Sequence, residues 1–320
     1  MRLTIIIPFA NETQAQITQL LTSIDTQVGV SFDQLQVIIV NDSGNSWPYQ
    51  YPNLTQYQPK ILKTSGGMGA GVARQYGMDH SQSDFVMFMD ADDCLSDSLA
   101  LERFWSVAQY HDLIVGPFIH EHLDENGRIV YSLSKKVDHG AAYGKWYKRS
   151  YLKKIGLRWS PELKVYEDAY FVDLALQLTK DCVVLNEPSY IWRLNMQSVG
   201  RRNGFAFARQ LDIWVQSNRL RLAFLRNHNS ASYVHDFYSV VARAYFKEFQ
   251  YGIADVTAYH REQQRLLQDN RTLWDDGTPE LLRQIATLYH QKYFKNISLD
   301  KFNQYLDGQA QLLDRKDESA

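Results

Sequence analysis

Cysteine is almost missing from this chain, with Cys94 and Cys182 the only two in 320 residues. Two thiols supply neither a disulfide framework nor a zinc cluster, and they point to a reducing compartment. Long apolar runs are missing as well. The N-terminal run Leu3 to Ile7 stops at Pro8, too short for a signal peptide, and no stretch approaches the roughly 18 apolar residues of a membrane span. The chain also lacks a charge excess, since 34 basic against 36 acidic residues leave a net charge of -2. Nothing global therefore attracts nucleic acid or an anionic membrane. No repeat or low-complexity tract is present. Together these absences imply a soluble, cytoplasmic protein whose partners are decided by local sites.

What remains is an ordinary globular composition, 45% hydrophobic and 22% charged, which excludes disorder for all but a solvated tail at Asp314 to Ala320. The length is about twice what a single core serves best, so two domains are expected. Leu3 to Ile7 is a β-branched run that feeds a loop, as a buried strand does. Asn11 and Thr13 can cap a helix whose Ile17, Leu20, Leu21 and Ile24 form one apolar stripe. A second buried run, Leu35 to Val40, ends in the turn residues Asn41, Asp42, Ser43 and Gly44. A short strand near Ile61, a glycine-rich turn at Gly66 to Gly71, a helix to about His80 and a strand at Phe85 to Met89 repeat the cycle. Further on come a helix with Leu101, Phe104, Trp105 and Ala108 on one face, a strand at Leu113 to Val115, and a hairpin turn at Asn126-Gly127.

Strands alternating with helices predict an α/β fold, a mostly parallel sheet with helices on both faces and ligands at the carboxyl ends of its strands. From about Phe205 the texture changes to long helical patterns. The expected domains are residues 1–204 and an all-α region 205–320; residues 201–320 carry a charge of +3 where the first 200 carry -5. Aromatics such as Phe237, Tyr238, Tyr245, Phe246, Phe249 and Tyr251 fit a core or an oligomer interface better than a ligand box.

Three clusters carry chemistry. Asp90-Ala91-Asp92-Asp93 crowds three carboxylates directly after an apolar strand, where they repel unless a cation sits among them, and oxygen-only ligands suit Mg2+ or Mn2+. The bland alternative is that Asp92 or Asp93 caps the next helix. Gly66-Gly67-Met68-Gly69-Ala70-Gly71 fails the G-x-G-x-x-G spacing of a dinucleotide fingerprint and follows a late strand, so that function is excluded. Arg74 in the following helix can reach a phosphate or form an ion pair. Glu167-Asp168 opens a helix with the apolar face Phe171, Leu174, Ala175 and Leu178; such acidic residues are ordinary dipole partners, or a general base if one faces a pocket. His120 and His122 share a face in an extended strand, but that spacing alone makes no metal site.

In order, Ile5-Ile6-Ile7-Pro8-Phe9-Ala10-Asn11-Glu12, Val40-Asn41-Asp42-Ser43, Gly69-x-x-x-Ala73-Arg74-x-x-Gly77, Asp90-Ala91-Asp92-Asp93 and Glu167-Asp168 resemble the family 2 inverting glycosyltransferases. The resemblance covers roughly residues 1–200 and implies the GT-A fold and transfer from a UDP-sugar to a glycan, teichoic-acid or other cell-surface acceptor. By the same resemblance Pro8, Ala10 and Asp42 hold the base, with Asp42 accepting from the uracil N–H. Arg74 lies beside the nucleotide, Asp90 and Ala91 beside the sugar nucleotide, and Asp92 holds the metal, Mn2+ or Mg2+. Asp168 is implied as the general base, with Glu167 the lesser candidate. Gly144 to Arg149 resembles the segment beside the donor sugar, and Arg193, Ser198, Arg201 and Arg202 resemble a loop that closes over the diphosphate, for which arginine is suited.

The sequence departs from the family pattern at Ala10, Asn41 and Gly67, where tyrosine, aspartate and asparagine are usual, which bears on the nucleotide more than on the reaction. Two other readings stand beside transfer: a sugar nucleotidyltransferase, disfavoured because no glycine-rich loop follows the first strand, and a non-catalytic sugar-nucleotide or glycan-binding module. For the helical region the expectations are a homo-oligomer interface or an acceptor platform, with peripheral membrane docking undecided by its small charge.

Overall fold

The structure, a computed structural model, describes residues 2–50, 53–196 and 209–315. The chain divides into two compact units, Met1–Met196 and Gln197–Ala320. The boundary expected between residues 204 and 205 falls outside the described residues.

The first unit runs β1 (Leu3–Phe9), α1 (Gln14–Asp25), β2 (Leu35–Asn41), β3 (Lys60–Lys63), α2 (Ala70–Asp79), β4 (Phe85–Phe88) and β5 (Cys94–Leu95). It continues with α3 (Ala100–Val107), β6 (Leu113–Val115), β7 (Phe118–Leu123), β8 (Ile129–Leu133) and β9 (Lys145–Lys148). Last come α4 (Arg149–Lys154), α5 (Glu167–Leu178), β10 (Cys182–Val184) and β11 (Tyr190–Trp192). Seven strands form one sheet in the order β10-β6-β9-β4-β1-β2-β3. Its β1–β2, β2–β3, β1–β4 and β6–β10 pairs are parallel, while β9 runs antiparallel to both β4 and β6. The mostly parallel α/β sheet expected from the sequence is thus present, with β9 inserted against the grain.

Every residue of β1 is buried, as suits a central strand covered on both faces. Leu3, Ile5, Ile7 and Phe9 join the cluster that takes in Ile17, Leu20, Leu21 and Ile24 of α1 and Leu101 and Phe104 of α3. Thr13 caps α1 by accepting from Gln16 N–H in a capping box, which places that stripe against the sheet. On the opposite face α2 presses on Ile6 and Val40. Pro8 does not end the strand as expected from the sequence: β1 runs on to Phe9 paired with β2, but its pairing with β4 stops at Ile6. The missing proline N–H therefore falls where one side of β1 has no strand partner.

A second sheet, β5-β11-β7-β8, was visible in the sequence only as its β7–β8 hairpin, which turns at Asn126-Gly127 with Gly127 at φ +73°. Its β11 runs antiparallel to β5 and parallel to β7.

The described part of the second unit holds five α-helices, α6 (Leu211–Asn227), α7 (Tyr233–Tyr251), α8 (Val256–Asp269), α9 (Thr278–Tyr293) and α10 (Phe302–Asp314). Phe237, Tyr245 and Phe246 are buried, with Tyr245 packed edge-on to Phe302 and Phe246 stacked on Phe294. These aromatics form the unit's own core, and Phe249 is half exposed. Among the described residues no helix is long and apolar enough to cross a membrane.

Gly77 decides how closely α2 sits on the sheet, since a Cβ there would lie 2.4 Å from Ile6 Cγ2 and 3.3 Å from Val40 Cγ2. Gly308, in α10, faces open space. Gly77→Ala is expected to destabilise the protein by about 1–3 kcal/mol through overpacking. Gly308→Ala should be neutral or stabilising by up to about 1 kcal/mol. Urea midpoints of the two variants against the parent decide this, and equal shifts would mean that the sheet face yields to a methyl.

Candidate functional site

The carboxyl ends of β1, β2 and β4 deliver the polar residues singled out from the sequence. Asp42, directly after β2, donates its N–H to Phe9 O at 2.7 Å and so ties its loop to the end of β1. One carboxylate oxygen of Asp42 accepts Met68 N–H at 3.1 Å, the other Gly69 N–H at 2.8 Å, and the Thr64 hydroxyl donates as well. Its carbonyl accepts Gly67 N–H at 2.8 Å. The glycine-rich turn is therefore wrapped around a buried carboxylate. Gly66, at φ +93°, runs so close to the loop after β2 that a Cβ would lie 2.5 Å from Gly44 Cα. Two of the carboxylate's roughly four acceptor positions are used by the turn and a third by the Thr64 hydroxyl. The base contact expected of Asp42 has only the remaining one.

That turn launches α2, and α2 carries Arg74, only 3% exposed. Its guanidinium donates to Asp168 Oδ1 at 2.6 Å, to Asp90 Oδ1 at 2.7 Å and to Glu167 Oε1 at 3.3 Å, and lies 4.9 Å from the centroid of the Trp159 ring. Burial alone would lower the Arg74 pKa, but Asp168, Asp90 and Glu167 outweigh it and raise the value, so the cation is permanent. Two expected site aspartates from distant motifs thus meet on one arginine. Gly71 lets the first turns of α2 and α5 approach, because a Cβ there would stand 3.1 Å from Glu167 Cγ. Tyr166, immediately before α5, has φ +63° in the left-handed region, a costly conformation for a bulky residue, at the point where Glu167 and Asp168 leave the chain.

Burial pushes the Asp168 carboxyl well above the usual range; Glu167 and Asp90 add to this, while Arg74 and Lys145 oppose it. Glu167 is raised too, chiefly by burial and against Arg74. Lys145, 1% exposed, donates from Nζ to Ala141 O at 2.7 Å, and burial pulls its pKa down to about 8.

The aspartate loop after β4 is built into the second sheet. Asp93, 1% exposed, accepts from the Tyr190 hydroxyl at 2.7 Å and from Arg193 N–H at 2.8 Å, while Asp90 N–H donates to the same hydroxyl at 3.0 Å. Burial, with Asp90 and Asp92, raises the Asp93 pKa well above its ordinary value. Helix capping by Asp92 or Asp93 is ruled out, because β5 intervenes and α3 begins at Ala100, where Asp97 Oδ1 accepts from Leu99 N–H. Ala91, 1% exposed, is a packing residue of the main core.

Asp92 accepts from Asn195 Nδ2 at 2.6 Å, so the segment after β11 lies over the aspartate loop. In that segment Arg193 pairs with Glu121 at 3.6 Å, and Glu121 also accepts Leu194 N–H at 3.1 Å. Arg193 thus lies beside the aspartate loop and already has a carboxylate. Arg201, with Ser198 and Arg202, lies outside the described residues. Pro8 and Ala10 stand at the end of β1, where Ala10 N–H donates to Glu12 Oε2 at 2.8 Å. Burial raises the Glu12 pKa, and the charge of Asp92 adds to it.

Among the described residues no three His, Cys, Asp or Glu side chains converge as a metal site. The donor chemistry nevertheless suits a hard cation at Asp92. The carboxylate oxygens of Asp92 are the hard donors such an ion would take, and Asn195 Nδ2 is one of the groups already on them. An ion there requires further oxygens from a ligand. His120 and His122 do share a face, their rings 5.1 Å apart, and His120 stacks on Trp192 at 4.3 Å.

Glu121, Tyr190, Asn195 and Trp159 were missed as site residues, while Lys145 falls in the Gly144 to Arg149 segment. Glu121 had a signal in the two-residue period of β7, which turns it away from the flanking histidines into the protein. Tyr190 and Asn195 had none, because only the pairing of β11 with β5 brings them to the loop.

The family model described as Glycosyl transferase family 2 matches residues 4–170. The chain is 25% identical over 213 residues to the minor teichoic acid biosynthesis protein GgaB of Bacillus subtilis (strain 168), a match covering 59% of this chain and 23% of GgaB. It is 24% identical over 213 residues to the poly(ribitol-phosphate) beta-N-acetylglucosaminyltransferase TarS of Staphylococcus aureus (strain Mu50 / ATCC 700699), covering 60% of this chain and 35% of TarS. The chain thus spans well under half the length of either relative. The crystal structure of S. aureus TarS 1-349 in complex with UDP-GlcNAc superposes with a TM-score of 0.61 at 15% identity, over 95% of this chain and 92% of that one. That likeness bears on the fold.

Removing the guanidinium from three carboxylates is expected to be expensive. Arg74→Met should cost about 2–4 kcal/mol at neutral pH, below the usual ~3–5 for a broken buried pair because the carboxylates are partly exposed. Without Arg74 the carboxyl pKa values of Asp168 and Glu167 rise further. A raised folded-state pKa favours the fold at low pH and loses that contribution as pH rises through it. The deficit should therefore shrink as pH falls through the raised values toward ~4. Urea unfolding of both proteins at pH 7.5 and pH 5 tests this, and a deficit that grew on acidification would contradict the assignment.

Proposed function

The chain belongs to glycosyl transferase family 2, and on that premise we propose that it transfers a sugar from a UDP-sugar to a hydroxyl of a glycan, teichoic-acid or other cell-surface acceptor, inverting the anomeric carbon. The observation that carries this reading is the meeting of Asp168 and Asp90 on the one Arg74 guanidinium. It sets a carboxylate suited to accept a proton beside the aspartate loop suited to hold a sugar nucleotide. The names of TarS and GgaB, and the UDP-GlcNAc in the TarS crystal, support the donor and acceptor classes.

In this proposal Asp168 takes the proton of the acceptor hydroxyl, and its raised pKa strengthens it as a base near neutral pH. Glu167 shares Arg74 and keeps the guanidinium aimed at Asp168. The oxygen so activated attacks the anomeric carbon from the face opposite the leaving UDP. Asp90 and the Ala91 backbone face the sugar nucleotide, Pro8, Ala10 and the last acceptor position of Asp42 the base, and Arg193 and Arg201 the diphosphate. Asp92 would hold Mg2+ or Mn2+, which when bound offsets the negative charge developing on the diphosphate. For the helical region, 205–320, we propose acceptor binding or self-association.

UDP release from a panel of UDP-sugars, with manganese or magnesium, tests the reading. Asp168→Asn should lower kcat by about 10²–10⁴-fold while stabilisation by the UDP-sugar in a thermal melt is retained. Near-normal turnover in that variant would remove Asp168 as the base. The base must be deprotonated, so the acid limb of kcat/KM should lie above the ordinary carboxylate range near ~4, with activity lost as pH falls through it. EDTA should abolish turnover, and unchanged turnover with chelator would sink the metal role of Asp92.

A further inference from the structure

The opposite end of the sheet carries a second concave site. A cavity of about 620 Å³ opens at the amino ends of β1, β2 and β4 and the carboxyl end of β9. The seven residues of β1 separate it from the aspartate loop. At ~3.3 Å per residue that is about 20 Å, so no small ligand touches both.

Its walls are unusual in charge. Arg2, Lys148, Arg149 and Lys153 line it against the single acidic side chain of Asp84, in a protein whose net charge is -2. Lys148 is neutralised by Asp112 at 3.2 Å. The two arginines are held differently. Arg2 donates to Trp105 O at 2.6 Å with its guanidinium 4.8 Å from the Trp105 ring centroid, and Arg149 donates to Ser83 O at 2.9 Å. Among the described residues neither has a carboxylate within ion-pair distance, and Lys153 is exposed. A carbonyl fixes a guanidinium in place without cancelling its charge, and each arginine keeps four of its five N–H donors for other acceptors. Arginines held in place with donors to spare in the wall of one cavity suit phosphate oxygens, which they bind in paired hydrogen bonds.

We propose that this amino-edge cavity binds a phosphate-bearing ligand, either a soluble phosphate ester or the phosphodiester headgroup of a lipid, through Arg2, Arg149 and Lys153. Ser150, also in the lining, offers a hydroxyl to the phosphate. Asp84 sets the limit on ligand charge at its own side of the rim. The site is separate from the sugar-nucleotide site, and its occupancy needs neither Asp92 nor Arg193.

The test is a calorimetric titration of pyrophosphate into the full chain at about 0.15 M salt, where loose surface attraction is screened. It is accompanied by co-sedimentation with phosphatidylglycerol vesicles and with pure phosphatidylcholine vesicles. Saturable binding that Lys153→Glu weakens by about tenfold, and that Arg2→Gln with Lys153→Glu removes, is the expected result. Lys153 is exposed, so Lys153→Glu should leave circular dichroism and the melting temperature unmoved, whereas Arg2 is half-buried against Trp105 and Arg2→Gln should lower the melting temperature slightly without changing the circular dichroism. Pyrophosphate binding without vesicle binding assigns the site to a soluble phosphate ester, and selective sedimentation with phosphatidylglycerol assigns it to a headgroup. The proposal is overturned if neither probe binds, if the double variant binds as the parent does, or if only Arg193→Gln weakens binding, which would place the anion at the other end of the sheet.

Discussion

The Arg74 guanidinium draws together two segments that carry like charge and would otherwise separate. Asp90 comes from the end of β4, Glu167 and Asp168 from the start of α5, and the arginine from α2. Crowded carboxylates repel, and burial makes the repulsion worse. One permanently charged, planar donor with the Trp159 face beside it resolves that conflict, and its fork matches several carboxylate oxygens at once. Much of the surrounding architecture serves to bring this side chain to its place. Asp42 folds the glycine-rich turn that begins α2, Gly77 lets α2 lie on Ile6 and Val40, and Gly71 lets it meet α5.

A second constraint acts through the small sheet. The β5–β11 pairing carries Tyr190 and Arg193 to Asp93, and the chain beyond carries Asn195 to Asp92. Three adjacent aspartates thereby acquire different environments. Asp90 faces a guanidinium, Asp93 is sealed under a tyrosine hydroxyl and a backbone N–H, and Asp92 meets an amide at the loop surface. One tetrapeptide thus holds an arginine partner, a buried anchor and an amide-bonded carboxylate because its neighbours differ, and the same neighbours restrain the Arg193 segment. The sheet's two ends divide the polar work between them. Carboxylates gather at the carboxyl ends of the parallel strands and cations at the amino ends.

Much of this was legible in the sequence. Short apolar runs gave β1, β2, β4 and β6 their places and the 3.6 period gave α1 and α5 theirs, because a strand covered on both faces is apolar throughout and a helix stripes to reach a core. Asp90, Asp92, Asp168 and Arg74 stood out as charged residues at the ends of such elements. Pro8 misled, since a proline is a strand breaker only where its N–H is needed. The alternative that Asp92 or Asp93 caps the next helix stood open because β5, two residues long, has too short a pattern to read. The small sheet was nearly invisible for the same reason. Its strands are short, and β8 is mostly exposed.

The sequence by itself determined the alternation of strand and helix, the change to a helical region, and which charged residues end the apolar runs, because each is a local consequence of side-chain periodicity. Only the tertiary structure decided what those charges do. Arg74 and Asp168 are 94 residues apart in the chain and 2.6 Å apart in the fold, and Asp92 and Asn195 are 103 apart and bonded at 2.6 Å. Hydrogen bonds and desolvation act over ångströms in space, whatever the separation along the chain. Whether a carboxylate becomes a base, an anchor or a metal ligand is therefore set by packing that no local pattern encodes.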